Sequence, residues 1–194
     1  MAAHRKNWDD TIKLILGGIG TLYSNYFEVF TQQADFDHTW SVFIQYLSNL
    51  LTRKSLGVST TVFHVLARVL ARVGHPENLS PKSREEVWML WLSQGVKIVE
   101  GIEKSGNGIQ ETLGEYINSY KALYRLLEPT FTEENVKETL SILNDCILFP
   151  DSPPYFQDFD TVTPLQANIL EVIKLIRTDI LEPFGPIISA RDFE

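Results

Sequence analysis

The segment WDDTIKLILGGIGTLYSNYFEV, residues 8–29, carries the strongest structural signal in the chain. Its large apolar residues recur at alternating steps of four and three positions, at Trp8, Ile12, Ile15, Ile19, Leu22, Tyr26 and Val29. Because this spacing returns to one side of an α-helix every two turns, it predicts an amphipathic helix. We expect one continuous apolar stripe that packs against other helices.

The same spacing predicts six further helices along the chain. Their stripes are Trp40, Phe43, Leu47 and Leu50; Val62, Leu66, Val69 and Val73; Trp88, Trp91, Gly95, Ile98 and Ile102; Ile109, Leu113, Tyr116, Tyr120, Leu123 and Leu127; Val136, Leu140, Leu143 and Ile147; and Ile169, Val172, Ile176 and Ile180. Side chains that favour helix N-termini place five of the starts at Asp37, Ser59, Ser83, Thr132 and Thr163.

These patterns predict an all-α fold, because no segment shows the sustained two-residue alternation of a half-buried strand. Helix starts near residues 8, 60, 109 and 164 recur about every 50 residues, close to the period of HEAT and armadillo repeats. We therefore expect residues 1–194 to form a single domain of about seven antiparallel helices, stacked as a HEAT/armadillo-like solenoid. A closed helical bundle is the alternative.

The composition is that of a folded, acidic protein. The 194 residues are 44% hydrophobic, and 17 basic against 25 acidic residues give a net charge of −8, which disfavours nucleic acid and anionic lipid. A single cysteine, Cys146, excludes an internal disulfide framework, and the polar N-terminus lacks a secretory signal. The longest nearly apolar run, Leu14 to Tyr23, is too short to span a bilayer. These features predict a cytoplasmic location.

We predict no catalytic, cofactor-binding or metal-binding residues. The histidines, at positions 4, 38, 64 and 75, lack metal-ligand spacing, so an enzyme would need His64 or His75 to meet an acid in one cleft. Cys146 lies among apolar residues, which is typical of a small buried side chain. The segment Gly17-Gly18-Ile19-Gly20 lacks the lysine of a phosphate-binding loop. We expect its glycines to lie within a helix, where they allow a neighbouring helix to pack closely or mark a kink.

One long loop, residues 149–163, separates the last two predicted helices. Its prolines restrict the backbone, and its aromatic and acidic residues offer apolar area beside negative charge. The candidate partner-binding residues are Tyr155, Phe156, Asp158, Phe159 and Asp160. The alternative is that this loop packs on the helices of its own domain.

Four short segments in the C-terminal half stand out: Phe131-Thr132-Glu133-Glu134, Leu148-Phe149-Pro150, Asp158-Phe159-Asp160 and Thr163-Pro164-Leu165-Gln166. Together they resemble the C-terminal region of the Mon-two (monensin-sensitivity) scaffold family. Asn25-Tyr26-Phe27, and Asp35-Phe36-Asp37 ahead of Trp40, are similar to the helical repeats that this family shares with Sec-seven/BIG Arf exchange factors.

The resemblance implies a fragment of a much larger, non-catalytic interaction scaffold in vesicle trafficking, at the cytoplasmic face of the trans-Golgi network and endosomes. The implied partners are a Dopey-family protein, an Arf-like GTPase and a P-type flippase, with membrane association through partners. One alternative is the C-terminal regulatory helical domain of a large Arf exchange factor. Another is a peripheral membrane module that uses Trp8, Ile12 and Ile15 beside Arg5, Lys6 and Lys13.

Overall fold

The computed structural model describes residues 2–53, 55–101, 109–147 and 162–176. Within these ranges the chain forms seven α-helices, two short 3₁₀ turns and no β-strand. The helices are α1 (Ala2–Thr31), α2 (Phe36–Leu51), α3 (Leu56–Val73), α4 (Pro81–Gly101), α5 (Ile109–Leu127), α6 (Glu133–Ile147) and α7 (Pro164–Ile176). The predicted all-α fold class is confirmed.

The helices lie in two layers. In one layer, α3 packs between α1 and α5, and α5 packs between α3 and α7. In the other layer, α4 packs between α2 and α6. The predicted repeat of about 50 residues is therefore the step from one odd-numbered helix to the next. This order is compatible with the predicted open stack, and the choice between the stack and a closed bundle stays a prediction.

Side-chain hydrogen bonds join successive helices of each layer. In one layer the Ser41 hydroxyl of α2 donates to the Glu86 carboxylate of α4 at 2.7 Å. In the other, the hydroxyls of Thr60 in α3 and Thr112 in α5 are 2.8 Å apart. The partners are separated by 45 and 52 residues, about one repeat. These two polar contacts thus follow the same repeat of about 50 residues as the helix starts.

The predicted stripes of α2 to α7 face the core wherever the structure describes their side chains. Leu140 and Ile147 of α6 are partly buried and pack against that core. Ile98, Ile102 and Ile180 lie outside the residues whose side chains are described. Spacing alone therefore identified the buried side of six helices.

Three helices begin before the predicted capping residues Asp37, Ser59 and Ser83, at Phe36, Leu56 and Pro81. For α4 the cap is Ser80, whose hydroxyl oxygen accepts the Ser83 N–H at 3.1 Å. The Ser83 hydroxyl instead donates to the Asp37 carboxylate at 2.9 Å. Ser83 and Asp37 therefore join α4 to α2 rather than cap their own helices.

The predicted caps of α6 and α7 are confirmed. At the start of α7 the Gln166 N–H donates to Thr163 Oγ1 at 3.2 Å, and the Thr163 N–H donates to Gln166 Oε1 at 3.0 Å. Thr132 and Asn135 make the same reciprocal pair at the start of α6. Each pair satisfies two backbone donors that a helix N-terminus leaves without partners.

A reciprocal aromatic pair holds α4 against α5. The Trp91 Nε1–H donates to the Tyr116 carbonyl at 3.2 Å, and the Tyr116 hydroxyl donates to the Trp91 carbonyl at 3.1 Å. Their buried rings stack with centroids 4.6 Å apart. Burial raises the pKa of Tyr116 well above its usual value, so the hydroxyl stays a donor. Gly95 leaves the space that this hydroxyl occupies.

Candidate interaction surface

The side of α1 predicted to pack inward is exposed. Trp8, Ile15, Leu22, Tyr26 and Val29 are between 48% and 61% exposed. The neighbouring side of the helix is the one that packs, through the buried Ile12, Leu16, Tyr23 and Phe27 and the partly buried Ile19 and Phe30. The prediction of one core-facing stripe is therefore wrong for α1.

The reason is that α1 has two apolar stripes side by side, which share two isoleucines. Periodicity cannot choose between two such stripes, so contacts with the other helices decide. A Cβ at Gly20 would lie 3.0 Å from Val65 Cγ1, which shows how closely α1 approaches α3 there. The Tyr23 ring stacks on Phe43 of α2 at 4.5 Å. The expected role of a helical glycine in close packing is confirmed at Gly20.

We call Trp8, Ile15, Leu22, Tyr26 and Val29 the outer face of α1. At roughly 100 Å² for each half-exposed side chain, it presents roughly 500 Å² of apolar surface, as much as the largest patch on a typical monomer. Tyr26 has a non-helical backbone (φ −122°, ψ 19°), so α1 bends there. The straight part of the outer face therefore ends at Leu22.

The outer face of α1 lacks the charges of a membrane-surface helix. No charged residue occurs from Leu14 to Phe27. The Lys13 ammonium is 2.6 Å from the Asp10 carboxylate, and Ile12 is buried on the inner side. Helices that lie on anionic membranes usually carry free basic residues along the polar face. The side chains of Arg5 and Lys6, the other basic residues of the predicted membrane module, lie outside those described, and that module stays a prediction.

Two glycines of α1 have no packing role within the described chain. A Cβ at Gly17 or Gly18 would meet nothing within 4 Å. Gly18 follows Ile15 by three positions and precedes Leu22 by four, so it borders the outer face, whereas Gly17 does not. Glycine in a helix interior costs about 1 kcal/mol relative to alanine. Within the described residues, no close helix contact at Gly17 or Gly18 offsets this cost.

The histidine and acid that come together do so on an open surface. His64 Nδ1 is 3.3 Å from the Glu115 carboxylate, and the histidine side chain is 56% exposed. Groups of three or more residues able to hold a metal are absent from the parts of the chain that the structure describes. The His64–Glu115 pair is therefore best explained as a surface contact between α3 and α5.

A cavity of about 360 Å³ lies between α3 and α5, with Ala67, Ala71 and Ala122 in its lining. Three basic residues also line this cavity: Arg68, Lys121 and Arg125. The Lys121 ammonium is 2.7 Å from Glu171 of α7, so one of these charges is already neutralised. The cavity is a shallow groove in the helix layer.

Cys146 is buried, as predicted. Burial, and secondarily the Asp145 carboxylate, raises the pKa of its thiol to about 12. The thiolate that acts as a nucleophile is therefore suppressed at neutral pH.

This burial leads to a labelling prediction for Cys146. Because the raised pKa suppresses the thiolate at pH 8, iodoacetamide should modify the folded chain about 100-fold or more slowly than the same chain in urea. The extent of modification is followed by mass spectrometry of the intact protein. Equal rates in the two conditions would contradict the buried position.

Among the described helices, α3 is long and apolar enough to cross a membrane by length and composition alone. It lies between α1 and α5 and buries eight residues against them and the rest of the core. A core helix has this same composition, so the feature is weak evidence for a span.

The sequence-derived partner site lies outside the described residues. Tyr155, Phe156, Asp158, Phe159 and Asp160 all belong to the segment between α6 and α7. The partner-binding residues predicted from the sequence do not include the outer face of α1, of which only Trp8 and Ile15 are named, in the membrane alternative. A second stripe through Leu16, Tyr23 and Phe27 was the signal that the first one could remain exposed.

The layered helices and the exposed apolar face of α1 are the features of an all-α protein with stacked helices. Comparison with known proteins identifies two similar sequences. The chain is 22% identical over 215 residues to a Drosophila melanogaster protein named MON2 homolog, covering 92% of this chain and 13% of the relative. It is also 22% identical over 177 residues to Protein MON2 of Saccharomyces cerevisiae, covering 90% of this chain and 11% of the relative.

The predicted resemblance to the Mon-two family is therefore confirmed, and it extends over nearly the whole chain. The chain spans only about an eighth of the length of these relatives. No family model matches the sequence, and no solved structure is significantly similar to it. The relation to Sec-seven/BIG exchange factors stays a prediction.

Proposed function

We propose that this chain is a helical segment of a large, non-catalytic scaffold in vesicle trafficking, at the cytoplasmic face of the trans-Golgi network and endosomes. The resemblance to the Mon-two family supports the setting. The outer face of α1 carries the proposal of a scaffold, because an exposed apolar patch of this size is often a functional surface. The partners we propose are a Dopey-family protein, an Arf-like GTPase and a P-type flippase.

The location and the Dopey-family partner are tested together in cells. A tagged full-length protein is expressed in cells that lack their own copy. We expect it to coincide with trans-Golgi and endosome markers, and to retain the Dopey-family protein through affinity purification. A diffuse protein that retains no Dopey-family partner would contradict the proposed function.

The loop of residues 149–163 remains our proposed contact for one of these partners. Alanine at Tyr155, Phe156 and Phe159 removes three aromatic side chains, each of which would gain about 1.5–3 kcal/mol on burial. We expect this triple variant of the full-length protein to retain the partner at least tenfold less well. The amount of co-purified Dopey-family protein is the measurement.

Replacing Asp151, Ser152 and Gln157 with alanine provides the matched control in the same loop. This control should retain the partner at the wild-type level. Equal retention by the aromatic variant and by wild type, in a folded protein, would show that the loop assignment is wrong.

A further inference from the structure

The outer face of α1 occupies the position in its layer where a further helix would pack. α3 and α5 each lie between two helices of this layer, whereas the main contact of α1 within the layer is α3. α3 is apolar on both flanks and buries both, through residues such as Val62, Phe63 and Val65. α1 is also apolar on both flanks, but it buries only one.

We infer that another α-helix of the same long polypeptide packs along the outer face of α1 and extends its layer. This inference rests on the proposed function, since it takes the chain to be one segment of a larger scaffold. The matched relatives support this source, because the chain covers only 13% and 11% of their length. The occupant is thus a helix from another part of the full-length protein.

The spacing of the outer face fits a helix better than an irregular peptide. Trp8, Ile15, Leu22 and Val29 recur every seven residues and are all exposed, whereas Ile12 and Ile19 between them pack inward. A seven-residue repeat of apolar side chains is the spacing of a seam along which two helices pack side by side. From Trp8 to Leu22 the seam is about 21 Å long, which a partner helix of about 14 residues would cover.

The residues around the seam favour an uncharged partner helix that packs close to α1. No charged residue occurs in α1 from Leu14 to Phe27, so this part of the helix offers an acidic or basic peptide no charge of its own to pair with. Gly18 borders the seam, and the open space around it would let a partner backbone approach closely. A partner helix at this position would explain a glycine that makes no close contact within the described chain.

Site-specific photocrosslinking in the purified full-length protein tests this inference. The photoreactive amino acid p-benzoylphenylalanine replaces Leu22 on the outer face or, as the matched control, Leu14. Both leucines are more than half exposed on α1, but Leu14 lies off the outer face. A mixture of isotopically light and heavy protein, with its membrane lipids retained, separates contacts within one chain from contacts between copies.

We expect position 22 to crosslink within one chain to a segment whose apolar residues follow the four-three spacing. Position 14 should give this product in about fivefold lower yield. A product that joins light and heavy chains, a lipid adduct, a crosslink to another protein or no product at position 22 would each overturn the inference. Cellular location is not measured, so failure of the trafficking proposal would leave this result unchanged.

The two unused glycines provide a second matched comparison. Gly18→Gln places a long neutral side chain at the edge of the outer face, whereas Gly17→Gln places it elsewhere on the same helix. We expect the first to lower the yield from position 22 by about fivefold and the second to leave it unchanged. Equal yields from the two variants would overturn the role of Gly18 in close approach.

Discussion

Replacement of Gly95 by alanine is expected to lower the free energy of unfolding by about 2–4 kcal/mol, although alanine itself favours a helix by about 1 kcal/mol. The added Cβ would clash with the Tyr116 hydroxyl and lie 2.7 Å from Ile142 Cδ1. The hydroxyl would have to leave the Trp91 carbonyl, to which it donates at 3.1 Å. Urea unfolding of this chain, followed by circular dichroism, measures the change.

Gly114 offers the matched control, because a Cβ there would meet nothing within 4 Å. Gly114→Ala should leave the stability unchanged or raise it by up to about 1 kcal/mol. Adding Tyr116→Phe to Gly95→Ala removes the clashing oxygen and should recover part of the loss. Equal effects of alanine at positions 95 and 114 would show that α4, α5 and α6 do not meet at Gly95.

Replacement of Trp40 by alanine is expected to destabilise the protein by about 3–5 kcal/mol. Trp40 is fully buried, and its ring contacts Tyr23 of α1 and Phe43 of α2. Its Nε1–H also donates to the Ser83 carbonyl of α4 at 3.1 Å. The substitution therefore leaves a large cavity where α1, α2 and α4 meet, and urea unfolding again gives the free energy.

The same substitution at Trp8 distinguishes the two faces of α1. Trp8 is 61% exposed, so Trp8→Ala should cost less than about 1 kcal/mol. If the stripe that contains Trp8 were buried, the loss would instead approach that of Trp40→Ala. Such a result would contradict the packing of α1 and the existence of its outer face.

Periodicity was sufficient for the fold class and for the core of α2 to α7, because each of these helices has one dominant apolar side. The repeat of helix starts also identified the helices that share a layer. Periodicity predicts the wrong side of α1, where Leu16 and Tyr23 belong to a second apolar stripe beside the first. Such a choice depends on close contacts with distant residues, such as Gly20 against Val65, which local spacing does not contain.

The starts of α6 and α7 are predicted correctly, because each has a reciprocal capping pair between residues three positions apart. The caps of α3 and α4, Ser55 and Ser80, are also local, but the prediction misses both. Thr163 and Gln166 are three residues apart and bond each other, so the motif itself specifies the start of α7. Ser83 and Asp37 are separated by 46 residues and bond across two helices. The residue type of each suits a cap, and only the tertiary structure reveals the longer-range partner.

The candidate site was harder to predict than the fold. A surface for a partner consists of ordinary apolar side chains, and the feature that distinguishes it is exposure. The tryptophan at position 8 has the same chemistry as the one at position 40, yet one is exposed and the other is buried. The segment of residues 149–163 differs from the rest of the chain in composition, whereas the outer face of α1 has the spacing of an ordinary core stripe.

The most direct test of the central claim is a cryo-electron microscopy map of the full-length protein that covers the surroundings of α1. We predict rod-shaped density of another helix from the same polypeptide along Trp8, Ile15 and Leu22, with its axis about 8–10 Å from that of α1. Solvent or lipid along these side chains would contradict the account.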